Sequence, residues 1–97
     1  MSKLDSQQIE QALLRVPGWE RSGDAIKRTF SLPGFPAALL FVGAVGHLAE
    51  RADHHPDILI EYRSVTLTLS THSAGGLTDK DFALAAEVNA IELHRDL

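Results

Sequence analysis

The stretch Asp57-Ile58-Leu59-Ile60-Glu61-Tyr62-Arg63-Ser64-Val65-Thr66-Leu67-Thr68-Leu69-Ser70-Thr71 decides the fold. β-Branched, aromatic and aliphatic residues crowd both sides of Arg63-Ser64, the pattern of two strands joined by a tight turn. A two-residue loop at 63–64 sets Tyr62 opposite Val65 and, further along the same register, His55 opposite His72. Ile58, Ile60, Tyr62, Val65, Leu67 and Leu69 then share one face; Glu61, Thr66, Thr68 and Ser70 share the other. A sheet that is apolar on one side only has to cover that side with a second layer.

The covering elements flank the hairpin. Upstream, residues 35–52 predict a long helix in which Phe35, Leu39, Val42, Val45, Ala49 and Ala52 follow the helical period and Pro36 fits the first turn. Gly43 and Gly46 weaken it by up to about 1 kcal/mol each relative to Ala, which points to close approach of a neighbouring element. Downstream, Thr78-x-x-Asp81 forms a capping box with Asp in place of Glu. Asp79 and Asp81 suit the positive end of a third helix, whose inner stripe is Leu84, Ala85, Val88 and Ile91.

Towards the N-terminus, Gly23-Asp24 reads as the loop of another hairpin, pairing Ser22 with Ala25 and Glu20 with Lys27. Its inner face holds Trp19, Ile26 and Phe30, but also Arg21 and Arg28. A first helix over 7–15, capped by Ser6 and ended by Pro17-Gly18, carries the stripe Ile9, Ala12, Leu13 and Val16. The order α-β-β-α-β-β-α predicts an α+β two-layer sandwich: a four-stranded antiparallel sheet with three helices on one face.

Composition narrows the classes. Ninety-seven residues, 44% hydrophobic and 23% charged, make a single folded domain over 1–97. The absence of cysteine rules out a disulfide scaffold, a thiolate zinc site, an iron–sulfur cluster and a thiol nucleophile. A net charge of −4 gives no electrostatic reason to expect nucleic acid. No apolar run reaches the roughly 18–20 residues of a membrane span, and Met1 to Gln7 lack the apolar region of a signal peptide. The expectation is a soluble cytoplasmic protein.

Five histidines stand in the chain. His47 and His94 read as surface or capping residues. The others converge: His55 faces His72 across the hairpin register, and His54 is adjacent, at the corner between the long helix and the strand. Pro56 stiffens that corner and holds His55 extended. Glu50, four residues before His54, and Asp81, a short glycine loop after His72, bring carboxylates to the same end of the sheet. Imidazole, with an unperturbed pKa near about 6.5, donates or accepts a proton at neutral pH, so a histidine pair suits a reaction that needs acid and base together, such as elimination of water. His47, Glu50 and His54 at i, i+3 and i+7 offer a metal-ligating alternative on one helix face, but the spacing is not His-Glu-x-x-His, and no metal is expected.

These residues resemble the signature of the pterin-4a-carbinolamine dehydratase family: Glu50, three residues, His54-His55-Pro56, five to Tyr62, nine to His72 and eight to Asp81. The likeness runs from Trp19 to the third helix. It departs at Arg63-Ser64, where relatives often carry Asn, and at Ser73, where Asp is frequent. The resemblance implies the same fold and dehydration of a 4a-hydroxytetrahydropterin to quinonoid dihydropterin and water, in the recycling of tetrahydrobiopterin. It implies no metal, no tightly bound cofactor, and a functional link to an aromatic amino acid hydroxylase. Homodimers or homotetramers are expected, with sheets extended across subunits and helices bundled between dimers. His54 and His72 would be acid and base, with His55 supporting them. Glu50, Pro56, Tyr62 and Asp81 would orient the histidines or the pterin. The alternative is a non-catalytic pterin-binding or dimerisation module of the same fold.

Overall fold

The computed structural model describes residues 2–91, so His94 lies outside the described residues. The elements run α1 (Ser6–Leu13), β1 (Glu20–Ser22), β2 (Ala25–Ser31), α2 (Phe35–Ala52), β3 (Asp57–Glu61), β4 (Ser64–Leu69) and α3 (Asp79–Asn89), with one 3₁₀ turn at His72–Ala74 before α3. The four strands form one antiparallel sheet in the order β1-β2-β4-β3. The expected α+β sandwich is the observed one.

Local chemistry explains most boundaries. Asp5, not Ser6, caps α1: its carboxylate accepts the Gln8 N–H at 2.8 Å while the Gln8 side chain accepts the Asp5 N–H at 2.9 Å. A carboxylate satisfies an orphan helix donor and also favours the positive end of the dipole, so it displaces the neighbouring hydroxyl. The first hairpin pairs Glu20 with Lys27 and Ser22 with Ala25, as expected. Arg28, on the inner face, lies at its edge. Its guanidinium sits 4.4 Å from the Phe30 ring centre and donates to Pro17 C=O and Asn89 Oδ1. Trp19 Nε1 donates to the same Asn89 oxygen, which ties the hairpin to the end of α3.

The second hairpin corrects the register. Ile60 pairs with Val65 and Glu61 with Ser64, so the loop is Tyr62-Arg63. The slip is two residues, and side chains alternate with period two, so every strand residue keeps its expected face. Val65, Leu67 and Leu69 are fully buried. Tyr62 is not on that face; it is an exposed loop residue with φ +54°. His55 and His72 are likewise no longer direct cross-strand partners.

Helix α2 has the expected bounds but a different inner stripe. Ala37, Ala38, Phe41, Val45 and Ala49 are buried, while Phe35, Leu39 and Leu40 are exposed. The helix is apolar almost all round, so its period alone does not single out the face that meets the sheet. A Cβ placed on Gly43 or Gly46 would meet nothing within 4 Å, so the close approach expected there is absent among the described residues. Leu84, Ala85 and Val88 of α3 complete the core with Ile91 packed against it.

A non-glycine residue in the left-handed region costs about 1–3 kcal/mol, least for Asn. Replacing Tyr62 by Asn should therefore raise the melting temperature by several degrees in a thermal scan. An unchanged or lower value would show that the tyrosine is held there by contacts worth more than the strain.

Candidate active site

Helix α2 delivers the first histidine through its ending. Asp53 turns left-handed (φ 51°), its N–H meets the Glu50 carbonyl at 3.2 Å, and the His54 N–H meets the Ala49 carbonyl at 3.1 Å. This pair of bonds is a Schellman ending, which reverses the chain over the last turn. His54 is buried there, 9% exposed, and the next residue, His55, is exposed. Because α2 stops at Ala52, His54 does not continue the helix face of His47 and Glu50. Among the described residues no cluster of three or more His, Asp or Glu side chains is arranged to hold a metal ion.

His54 meets Asp81. Its Nε2 lies 2.6 Å from Asp81 Oδ1, and Asp81 is fully buried. The other carboxylate oxygen accepts the Thr78 N–H at 2.9 Å and the Thr71 hydroxyl at 2.8 Å. The Thr71 hydroxyl proton is thus committed, so in the 2.8 Å contact between the two threonines Thr78 donates. Thr78 Oγ1 in turn accepts the Lys80 N–H. Asp81 therefore closes the predicted capping box and anchors the histidine at once. Its Oδ2 is filled by donors, and an ionised carboxylate only accepts, so with Asp81 as carboxylate the hydrogen of the His54–Asp81 bond is assigned to Nε2. In the neutral ring that leaves the Nδ1 lone pair for a ligand.

The loop that carries His72 is clamped at its base. Thr71 and Gly76 exchange backbone bonds of 3.0 and 3.3 Å, the 3₁₀ turn starts at His72, and Gly75 closes the loop with φ +75°, where a Cβ would be strained. His54, His55 and His72 all line one cleft of ≈ 260 Å³, together with Ser70, Thr71 and Lys80. A second, adjoining cleft of ≈ 330 Å³ shares His55, Ser70 and His72 as its wall. The histidines thus converge although the expected register was two residues off, because the His72 loop bends away from a continued strand.

The remaining site candidates divide. Glu50 reaches the corner only from outside: its carboxylate is 3.5 Å from His55 Nε2 and both side chains are largely exposed, a weak surface pair. Pro56 is half-buried between His55 and β3. Tyr62 stands at the opposite end of β3 from the histidines and is not brought to them. His47 is exposed on α2, as expected of a surface residue. Thr71 was not singled out from sequence; a threonine closing a β-rich run carries no signal of its own.

A one-sided sheet with a buried carboxylate–histidine pair and two exposed histidines at its end sets three imidazoles on one cleft. Comparison with known proteins makes the class specific: the chain belongs to the pterin-4a-carbinolamine dehydratase family. The family profile described as "Pterin 4 alpha carbinolamine dehydratase" matches residues 2–91. A protein of Roseiflexus castenholzii named "Putative pterin-4-alpha-carbinolamine dehydratase" is 56% identical over 88 residues, covering 91% of this chain and 95% of that one. One of the same name from Nocardia farcinica is 53% identical, covering 91% and 93%. The crystal structure titled transcriptional coactivator/pterin dehydratase from Brucella melitensis superposes with a TM-score of 0.88 at 34% identity, over 92% of this chain and 97% of that one. A pterin dehydratase-like RuBisCO assembly factor of the alpha-carboxysome shares the fold, with a TM-score of 0.65 at 24% identity over 78% and 90%.

Thr71→Val keeps the shape and removes the hydroxyl that Asp81 and Thr78 both use. Leaving a buried polar group unpaired costs about 1–3 kcal/mol, so urea unfolding should show a loss of that size, largely restored by Thr71→Ser. A neutral Thr71→Val variant would mean that water replaces the hydroxyl.

Proposed function

We propose that the protein dehydrates a 4a-hydroxytetrahydropterin to the quinonoid dihydropterin and water, in the cytoplasm, as part of tetrahydrobiopterin recycling beside an aromatic amino acid hydroxylase. The observation that carries this reading is the His54–Asp81 bond, which fixes a histidine with one free nitrogen in the cleft that His55 and His72 also line. Elimination requires a base for the ring N–H proton and an acid for the departing 4a hydroxyl. His54 is the base: Asp81 holds its tautomer and stabilises the imidazolium formed, the logic by which a buried carboxylate orients a catalytic histidine. His72, exposed on its clamped loop, gives its proton to the hydroxyl, which leaves as water, and His55 stands beside both. The two transfers balance, so the enzyme ends with the proton shifted from His72 to His54 and resets through solvent. Glu50 steadies His55 from the surface.

Self-association fits the apolar surface the fold leaves uncovered: Phe35, Leu39 and Leu40 on α2, and Ile58 and Leu59 on the edge strand β3. We expect a homodimer or homotetramer. In light scattering after gel filtration, Leu40→Glu should reduce the mass if α2 forms a subunit contact; an unchanged mass would assign the contact elsewhere.

Loss of a freshly formed 4a-carbinolamine, followed by ultraviolet absorbance, tests the chemistry. A positioned acid or base contributes about 10²–10⁴-fold, so His54→Ala and His72→Ala should each cut kcat by that order while circular dichroism remains native. A folded wild type with no activity above the spontaneous rate would favour the non-catalytic pterin-binding or assembly reading.

A further inference from the structure

The cleft beyond the His55–His72 wall has no part in the proton transfers. It lies over the open, helix-free face of the sheet, at the end nearest the histidines. Asp57 opens β3 opposite Thr68, and Ser70 follows on the same face; all three line the cleft. Asp24 lines it from the β1–β2 turn, and that turn is pinned there because Ser70 Oγ donates to the Asp24 carbonyl at 2.7 Å. Neither carboxylate has an ion-pair partner among the described residues. Two lysines stand near without lining the cleft. Lys27 is opposite Thr68 on β2, and the Lys3 stem rests against Gly76, where a Cβ would meet its Cε at 3.1 Å. The carboxylates inside are therefore the two aspartates, beside two hydroxyls and the His55 and His72 rings of the shared wall.

We propose that this outer cleft holds the substituent carried by the pterin ring, and that Asp24 and Asp57 select an uncharged hydroxylated chain over a phosphorylated or carboxylated one. The assignment rests on the pterin reading above. A flat ring against the shared histidine wall has its substituent directed past His55 and Ser70 into the neighbouring space. A carboxylate accepts hydrogen bonds from a vicinal diol, whereas a phosphate or carboxylate in the same place meets like charge. Acidic residues separate a ribose 2′-hydroxyl from a 2′-phosphate in dinucleotide sites on the same ground. Specificity of this kind comes from the repulsive element as much as from the attractive one.

Equilibrium binding to the full chain, read by pterin fluorescence at low salt, tests it with three oxidised probes: biopterin, its side-chain phosphate monoester and 6-carboxypterin. The neutral diol should bind at least roughly tenfold more tightly than either anion, given two like charges within a few ångströms of the substituent. Asp24→Asn, Asp57→Asn and the double variant should bring the ratio stepwise towards one, by tightening the anions. Both positions are exposed, so the variants are expected to fold, and a melting curve checks this. Equal affinities in the wild type, or a ratio that survives the double substitution, would overturn the proposal. The carbinolamine assay run in parallel separates the two readings. Selectivity without turnover sinks the dehydratase function alone, turnover without selectivity sinks the outer-cleft assignment alone, and failure to bind any of the three probes together with no turnover sinks both.

Discussion

Asp81 is a fully buried carboxylate in a 97-residue protein, and the end of the sheet is organised around making that tolerable. An isolated buried charge costs several kcal/mol, and the penalty is met only when its lone pairs are filled with good geometry. Here the filling groups come from three separate places: the end of α2 through His54, the end of β4 through Thr71, and the start of α3 through Thr78. None can move without unpairing the carboxylate. The same bonds that satisfy the charge therefore fix the helix ends relative to the sheet, and they hold Nε2 of one histidine against the carboxylate. Stability and the proposed proton transfer draw on the same contacts.

This explains why the site combines one buried histidine with two exposed ones. His54 is locked from behind, with one nitrogen committed. His55 and His72 are exposed, and His72 rides on a short loop closed by the Thr71–Gly76 bridge and the left-handed Gly75. For the elimination proposed above, this pairs a base held in one orientation with an acid carried on an exposed loop.

Much of this architecture was legible in the sequence because it rests on short-range chemistry. The capping box at Thr78-x-x-Asp81, the Gly23-Asp24 turn and the alternation of β4 each depend on neighbours within a few residues. The register of the second hairpin was not legible in the same way. Tyr62 is a strong strand former, and nothing nearby announces that it adopts a left-handed conformation in the loop. The face assignment was immune, since a slip of two residues preserves the pleat. The direct pairing of His55 with His72 was not, and their convergence depends instead on the bend after Thr71.

Burial of His54 and the role of Thr71 were hidden for a different reason. Both follow from where two helix ends meet, and a pattern confined to one element cannot report that meeting. The inner face of α2 is a related case: its apolar residues supply two faces, one for the sheet and one exposed among the described residues, and periodicity alone does not rank them. The glycines at 43 and 46, with open space where a Cβ would stand, belong to the uncovered side of that distinction rather than to the core. The His54–Asp81 pair and the histidine-lined cleft, by contrast, draw on the end of α2, the His72 loop and the start of α3 within this chain.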